Sequence, residues 1–422
     1  MRKVILKDIC EDIQYGYTAS ATDKEIGPKF LRITDIVSDI IDWQSVPYCK
    51  IEESNFCKYA LQDGDIVIAR TGATTGYAKY IKKPPLSLFA SYLVRLKIKK
   101  GIDKRYIGYI IQSQTYKDFI KINWSGAAQP NANAQVLTSF PIPLPDINNQ
   151  KIISSILSAY DDLIKNNLRR IQILEEMAQL IYREWFVNFR FPGYEKIKFV
   201  NSEMGKIPEG WEVGCIKDLY GLQPGYAFKS KDLFDVGQYP IIKIRNIQHP
   251  MIDILNCEYI QDGKIIEMVN KFVLSEGDFL IAMTGAQVGK VGIMPKTNNR
   301  YFLNQRVGRF VPMRKYLINN FFLYLFCISD YFKQQINNLA SGAAQPNISG
   351  TDIDNIKIII PSNNLLEEFT NLIDPAWKEI ISLNKKNQVL RVSRDILLPK
   401  LISGELDVSD LDDTTGDINE EK

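Results

Sequence analysis

A single histidine, His249, serves a chain of 422 residues. Histidine is the commonest general base and a frequent metal ligand, so its scarcity argues against a Ser-His or Cys-His catalytic pair and against a histidine-built metal centre. The six cysteines (Cys10, Cys49, Cys57, Cys215, Cys257 and Cys327) are scattered without the paired spacing of a zinc site, and they read as free thiols of a cytoplasmic protein. No apolar run reaches membrane-spanning length; Phe321 to Ile328 is too short. Met1-Arg2-Lys3 leads into a mixed segment without the apolar region of a signal peptide. A phosphate-binding Gly-Lys-Ser/Thr loop is missing too, since Gly289-Lys290-Val291 lacks the hydroxyl. The one Glu-x-Lys, Glu420-Glu421-Lys422, stands in the terminal tail without clustered carboxylates around it. These gaps make an independent enzyme improbable.

Excess charge is also scarce at first sight, with a net of only +3. Its distribution is uneven. From Glu405 onward the tail carries eight acids and one base, Lys422, out of totals of 49 acidic and 52 basic residues. Setting it aside leaves 51 bases against 41 acids, a body of about +10, which is compatible with phosphate contacts. The acidic tail, 405–422, is expected to be disordered in solvent.

What the chain has in abundance is heptad periodicity. Leu157, Ile164, Ile171, Ala178 and Trp185 recur every seven residues, with Tyr160, Asn167, Leu174 and Ile181 three positions on. This is the a/d seam of a coiled coil, free of Gly and Pro. A helix over roughly 151–190 would reach about 60 Å at 1.5 Å per residue. The pattern returns in Phe369, Ile373, Ala376, Ile380, Leu383, Leu390, Leu397 and Leu401, interrupted by Asn387 and Arg394. Asn167 and Asn387 are plausible register-setting positions. Asp374-Pro375-Ala376-Trp377 has the form of an amino-methyltransferase signature, but it lies within the second stripe, where Pro375 is expected to start or kink a helix. Trp185, Phe186, Phe189 and Phe191 read as a hydrophobic cap onto the neighbouring domain.

The two stripes close two similar halves. Lys7-Asp8-Ile9 matches Lys217-Asp218-Leu219, and the expected strand Phe30–Ile36 matches Ile241–Ile247. Leu61 through Ala73 matches Leu274 through Ala286: a turn, a strand, then a loop ending at Gly76 or Gly289. Helical stretches are expected near 104–122 and 318–337. Both halves then carry the same heptapeptide, Ser125-Gly126-Ala127-Ala128-Gln129-Pro130-Asn131 and Ser341-Gly342-Ala343-Ala344-Gln345-Pro346-Asn347, whose small residues suit close packing. A short strand and a proline, Pro145 or Pro361, precede each long helix. This is a tandem duplication rather than a solenoid.

The two Gly-bearing loops, Arg70 to Lys79 and Thr284 to Lys290, combine backbone freedom with hydroxyls, amides and cations. Such groups suit hydrogen bonds to phosphates and base edges. Equally, the glycines could simply permit positive φ in a tight hairpin. Polar tips differ between the copies: Thr34-Asp35 against Arg245-Asn246, Thr74 against Gln287, Arg70 against Met283. Two related readers of different sequences would show this, and neutral drift would too.

In order, these motifs resemble the specificity (HsdS) subunit of type I restriction-modification systems. The resemblance rests on Thr71-Gly72-Ala73 to Gly76, Thr284-Gly285-Ala286 to Gly289, both Gly-Ala-Ala-Gln-Pro-Asn segments, Leu174 to Phe186, and Leu390 to Leu406 with Pro399-Lys400-Leu401 and Ser403-Gly404-Glu405-Leu406. It covers nearly the whole chain except the tail. It implies an α+β fold with two target recognition domains in tandem, each followed by a long helix, the two helices forming an antiparallel coiled coil. The divisions would be 1–148 and 211–363 for the recognition domains, 149–190 and 364–404 for the helices, 191–210 for a linker and 405–422 for the tail. Each domain would read one half of a bipartite site on double-stranded DNA, and the helices would fix the unread spacer. Two HsdM-type modification subunits would dock and bring S-adenosylmethionine. HsdR-type restriction subunits would add ATP- and Mg-dependent translocation and cleavage. The chain itself would be non-catalytic, bind no cofactor or metal, and act in the cytoplasm away from membranes. By resemblance and side-chain chemistry, Arg70, Thr71, Thr74, Thr75, Lys79, Arg32 and Thr34 are the expected DNA contacts of the first domain, and Thr284, Gln287, Lys290, Arg245 and Asn246 those of the second. The alternatives are a non-DNA coiled-coil adaptor and a fused methyltransferase or nuclease with an unrecognised site.

Overall fold

A computed structural model describes residues 2–38, 40–123, 132–261, 263, 267, 269–313, 320–340, 347–409 and 411. Both heptapeptides, apart from Asn347, and most of the acidic tail lie outside the described residues. Contacts divide the chain into two compact units, Met1–Asn166 with Asn387–Lys422, and Asn167–Lys386. Each therefore takes a stretch of both long helices.

The first unit is organised around Ile66–Ala69, the sequence Ile-Val-Ile-Ala. Successive side chains of a strand point to opposite faces. Ile66 and Ile68 enter one core with Val94, Leu96, Tyr106 and Ile110, while Val67 and Ala69 enter another with Leu31, Phe89 and Leu93. Burial on both faces explains an unbroken apolar run instead of an alternating one. Each full burial of an Ile or Val contributes about 1.5–3 kcal/mol. The strand is central in an antiparallel sheet of order Cys10–Tyr15, Leu93–Ile98, Ile66–Ala69, Ala78–Tyr80. Lys29–Leu31 and Ser87–Phe89 form a parallel pair, and Arg2–Ile5 pairs with Pro141–Leu144.

In the second unit Phe279–Ala282 takes the same part. Phe279 and Ile281 face one core, Leu280 and Ala282 the other. Its antiparallel sheet runs Tyr220–Pro224, Val307–Pro312, Phe279–Ala282, Val291–Ile293. A second sheet orders Glu258–Ile260, Tyr239–Ile242, Tyr301–Leu303 and Val273–Leu274, again with one parallel pairing, Tyr239–Ile242 with Tyr301–Leu303. Even the strand arginine is duplicated, buried in the first unit and half-buried in the second. Arg95, 3% exposed, donates to Ala60 O and Asp12 and also reaches Gln14. Arg309 donates to Val273 O, Asp278 and Gln223.

Both expected strands of the first motif end early. Lys29–Leu31 gives way to a helical turn, Ile33–Ile36, and Tyr239–Ile242 to a turn at Ile244–Asn246. The cause is a side chain that competes with the ladder for the backbone: Asp35 accepts from the Arg32 N–H at 2.7 Å, and Asn246 from the Lys243 N–H at 3.0 Å. The expected helices are also broken, into Lys104–Gln112 and Gln114–Asn123, and into Phe321–Ile328 and Asp330–Ala340. Ser113 and Ser329 sit at the breaks, where their hydroxyls cap the following helices by accepting from the Tyr116 and Phe332 N–H groups.

The long helices are Ile147–Tyr182, continued by a wider π-type turn over Arg183–Val187, and Asn363–Ser403. Leu157, Ile164, Ile171, Ala178 and Trp185 are all buried, as the heptads require. In the first unit Arg394 donates to Asp161 at 2.6 Å; in the second Arg170 donates to Glu379 at 2.7 Å. Within the second unit Trp185 also packs on Phe369, ring centroids 5.6 Å apart, so rising numbers on one helix meet falling numbers on the other and the pair runs antiparallel. The C-terminal helix runs unbroken through Pro375, which therefore does not start it. The carbonyl this proline leaves without its usual donor belongs to exposed Asn371, which water can reach.

The hydrophobic residues after the first seam belong to the second unit's core. Phe186 meets Phe369 at 4.7 Å and Phe322 at 5.0 Å between ring centroids, and Phe191 stacks on Trp211 at 5.2 Å. The segment 191–210 itself carries a hairpin, Phe199–Ser202 with Gly205–Pro208, and buries Phe191 and Ile207. Among the described residues no helix is long and apolar enough to cross a membrane.

Candidate nucleic-acid interface

The two Gly-bearing loops have one backbone design. Gly72 and Gly76 take φ of 76° and 86°, Gly285 and Gly289 of 73° and 81°. In the first loop Gly76 N–H donates to Ala69 O and Tyr77 N–H to Thr74 O. In the second Gly289 N–H donates to Ala282 O and Lys290 N–H to Gln287 O. Beyond positive φ, the closing glycine is needed for packing: an added Cβ would lie 3.2 Å from Ile120 at Gly76 and 2.7 Å from Ile336 at Gly289. The tight-turn reading therefore accounts for the glycines and leaves the polar side chains to be explained.

Each loop is stitched to the residues that follow its heptapeptide. Ala132 N–H donates to Arg70 O at 2.8 Å, Ile348 N–H to Met283 O at 2.9 Å, and Asn347 bridges Thr284. This link joins chain positions more than sixty residues apart and is invisible to local pattern reading.

In the first unit the expected contacts are dispersed among structural roles. The Arg70 guanidinium lies over the Tyr15 ring at 4.7 Å. Thr75 is buried and donates to Gly72 O at 2.7 Å, so it serves the turn. Thr71 and Thr74 are half-buried at the loop tip. Lys79 donates to Ser38 O. Arg32 pairs with Asp35 at 3.0 Å, a hydrogen bond that holds its guanidinium even more firmly charged. Thr34 is exposed beside them.

In the second unit three of the expected contacts meet. Arg245, Gln287 and Lys290 line one cleft of about 740 Å³, with Gln179, Gln248, His249 and Lys333. Lys290 is exposed, and Arg245 is held by Glu258 at 3.1 Å. Buried Gln287 Oε1 and Thr284 Oγ1 have no hydrogen-bond partner among the described residues. Asn246 is different. It is 1% exposed, with its amide nitrogen donating to Asp253 O and Asn256 O and its oxygen accepting from Lys243. Its groups are used within the turn, where it replaces Asp35 as the capping side chain.

Sequence reasoning missed His249, Gln248 and Lys333 on the cleft wall. The available signal was positional: Lys333 falls on Lys117 of the first half, and His249 is the single histidine.

The DNA specificity domain of type I restriction modification is the family that matches this chain, over residues 1–176 and 208–390. The chain is 27% identical over 419 residues to the specificity subunit of the type I restriction enzyme MjaIX of Methanocaldococcus jannaschii, covering 96% of this chain and 93% of that protein. It is 24% identical over 390 residues to the EcoKI specificity subunit of Escherichia coli, covering 87% and 79%. The crystal structure of the type I restriction-modification S subunit from M. genitalium shares the fold with a TM-score of 0.50 at 15% identity, over 95% of each chain.

Proposed function

This chain belongs to the type I restriction modification DNA specificity family, and from that premise we propose that it is the sequence-specificity subunit of a type I restriction-modification complex. It is the recognition component and not the catalyst. The segments 1–148 and 211–363 each read one half of a bipartite duplex site. The observation that carries this reading furthest is the convergence of Arg245, Gln287 and Lys290 on one cleft.

The chemistry suits a duplex. Lysine and arginine hold phosphates and fix register, while an amide can pair with the N6 and N7 edge of adenine. Gln287 Oε1 and Thr284 Oγ1, buried and without partners among the described residues, are acceptors that an exocyclic amine would satisfy. An unmet buried acceptor costs about 1–3 kcal/mol, so a base that fills it is favoured over one that does not. In the first unit Arg70, Thr71 and Thr74 at the loop tip take the corresponding part, with Arg32, Thr34 and Lys79 beside them. Thr75 and Asn246 support the turns.

The antiparallel helices are the docking surface for two modification subunits, which bring S-adenosylmethionine and methylate adenine. Restriction subunits, with ATP and Mg, complete the assembly in the cytoplasm. Two measurements on the full chain test the reading against a coiled-coil adaptor: affinity for duplex DNA as a function of salt, and co-purification with a co-expressed modification subunit. A recognition subunit loses affinity steeply between 50 and 200 mM salt. Salt-insensitive association with DNA, or none, would favour the adaptor.

A further inference from the structure

The second unit's cleft holds more positive charge than the loop alone supplies. Lys290 and Lys333 both line it, beside Arg245. Their counterparts in the first half are Tyr77 and Lys117, and there the Lys117 ammonium sits 4.4 Å above the Tyr77 ring. A lysine that meets an aromatic face in one unit thus shares a cleft with a second lysine in the other. Two like charges on one wall repel unless an anion lies between them. Arg245 is held by Glu258. Lys333 pairs with Asp330, 3.7 Å away and fully exposed, a pair that solvent screens strongly.

His249 stands on the same wall. Its ring stacks on Tyr324 with centroids 5.6 Å apart and planes 7° from parallel. Nε2 lies 3.3 Å from Glu175 Oε2 on the central helix. The Tyr324 hydroxyl donates to Glu175 Oε1 at 2.8 Å, and burial beside that carboxylate raises its pKa well above the usual phenol range, so it keeps its proton. The groups facing His249 are therefore Glu175 from the central helix, Tyr324 from Phe321–Ile328, and the cleft cations Lys290, Lys333 and Arg245.

We propose that this wall is a phosphate-contacting edge for a DNA strand, formed by Lys290, Lys333 and His249, with Glu175 as the residue that positions the imidazole. The inference rests on reading the second unit as a DNA-recognition domain and adds which groups touch the backbone. A histidine side chain ordinarily changes protonation between pH 5 and 8, so the pH dependence of binding reports whether the imidazole touches the backbone. With one histidine in the chain, the effect can be assigned.

The test uses the full chain and a random-sequence 30-base-pair duplex, with affinity followed by fluorescence anisotropy from pH 8 to pH 6 and from 50 to 200 mM salt. Wild type is expected to bind about tenfold more tightly at pH 6, the scale of one charge-assisted hydrogen bond. His249→Gln flattens that rise and Glu175→Gln shrinks it. Lys333→Gln lowers the slope of log affinity against log salt by about 0.9, one phosphate contact. Binding with the same pH profile in wild type and His249→Gln, together with an unchanged salt slope in Lys333→Gln, overturns the inference alone. No duplex binding by wild type at any pH overturns the DNA-recognition reading and the inference with it.

Discussion

The two units keep the same turns and replace matched sets of side chains. Tyr109 of the first and Tyr324 of the second stand one position out of register, since Ser113 aligns with Ser329, yet each donates to a carboxylate of the central helix. Tyr109 donates to Asp161 at 2.6 Å, and Arg394 completes an ionic cluster on that carboxylate. At the place of Asp161 the second unit has Trp377, with ring centroid 4.8 Å from Tyr324, and the hydroxyl turns to Glu175 instead. At the loops Arg70 over Tyr15 becomes buried Met283 with Pro224, and the Tyr77–Lys117 pair becomes Lys290 and Lys333. By contrast Gly76 and Gly289, Arg95 and Arg309, Ser113 and Ser329 are unchanged. Backbone geometry and the strand arginine define the scaffold. What differs is the chemistry offered to a ligand and to the helices.

Breaking the cores should separate the units most strongly. Phe186→Ala removes a ring packed on Phe369, Phe322 and Trp211, and a loss of about 3–5 kcal/mol is expected in denaturant titration. The equivalent Ile402 is only half-buried, so Ile402→Ala should cost about half as much or less; equal losses would contradict the packing assigned to the aromatic cluster.

The loop glycines give a finer comparison. Gly289→Ala forces positive φ on alanine and drives its Cβ to 2.7 Å from Ile336, whereas at Gly76 the contact is 3.2 Å. Both changes cost about 1–2 kcal/mol for the backbone alone, with a larger added packing loss expected at Gly289 than at Gly76. Thermal melts of the two variants decide this, and identical shifts would refute it.

Recognition should split as well. Gln287→Ala is expected to relax one half-site by about 1–3 kcal/mol and leave the other intact, with Thr74→Ala doing the reverse. Equal weakening of both half-sites in a binding assay would end the claim of independent readers. Smallest is Arg394→Ala. Asp161 is 39% exposed, so solvent screening limits the loss to about 1 kcal/mol; a double-mutant cycle with Asp161→Ala measures it.

Much of the fold was legible because its signals are local. The heptads place Leu157, Ile164, Ile171, Ala178 and Trp185 in the core while the second row stays half-buried, and Ile66–Ala69 with Phe279–Ala282 show as apolar runs because both faces are buried. Strand ends were not legible, since Asp35 and Asn246 act as caps only once the turn exists. Pro375 does not start its helix, because the backbone carbonyl it leaves unpaired belongs to exposed Asn371 and the helix continues through it. At the site, the loops and Arg245 could be picked from residue type. His249 could not, because its partners Glu175 and Tyr324 lie 74 and 75 residues away in the chain.

The most direct test of two independent readers is methylome sequencing of cells that express this chain with a modification subunit. The account expects adenine methylation at a split motif, two short defined parts around an undefined gap, with Gln287→Ala degrading one part alone. A continuous motif, or loss of both parts together, would contradict it.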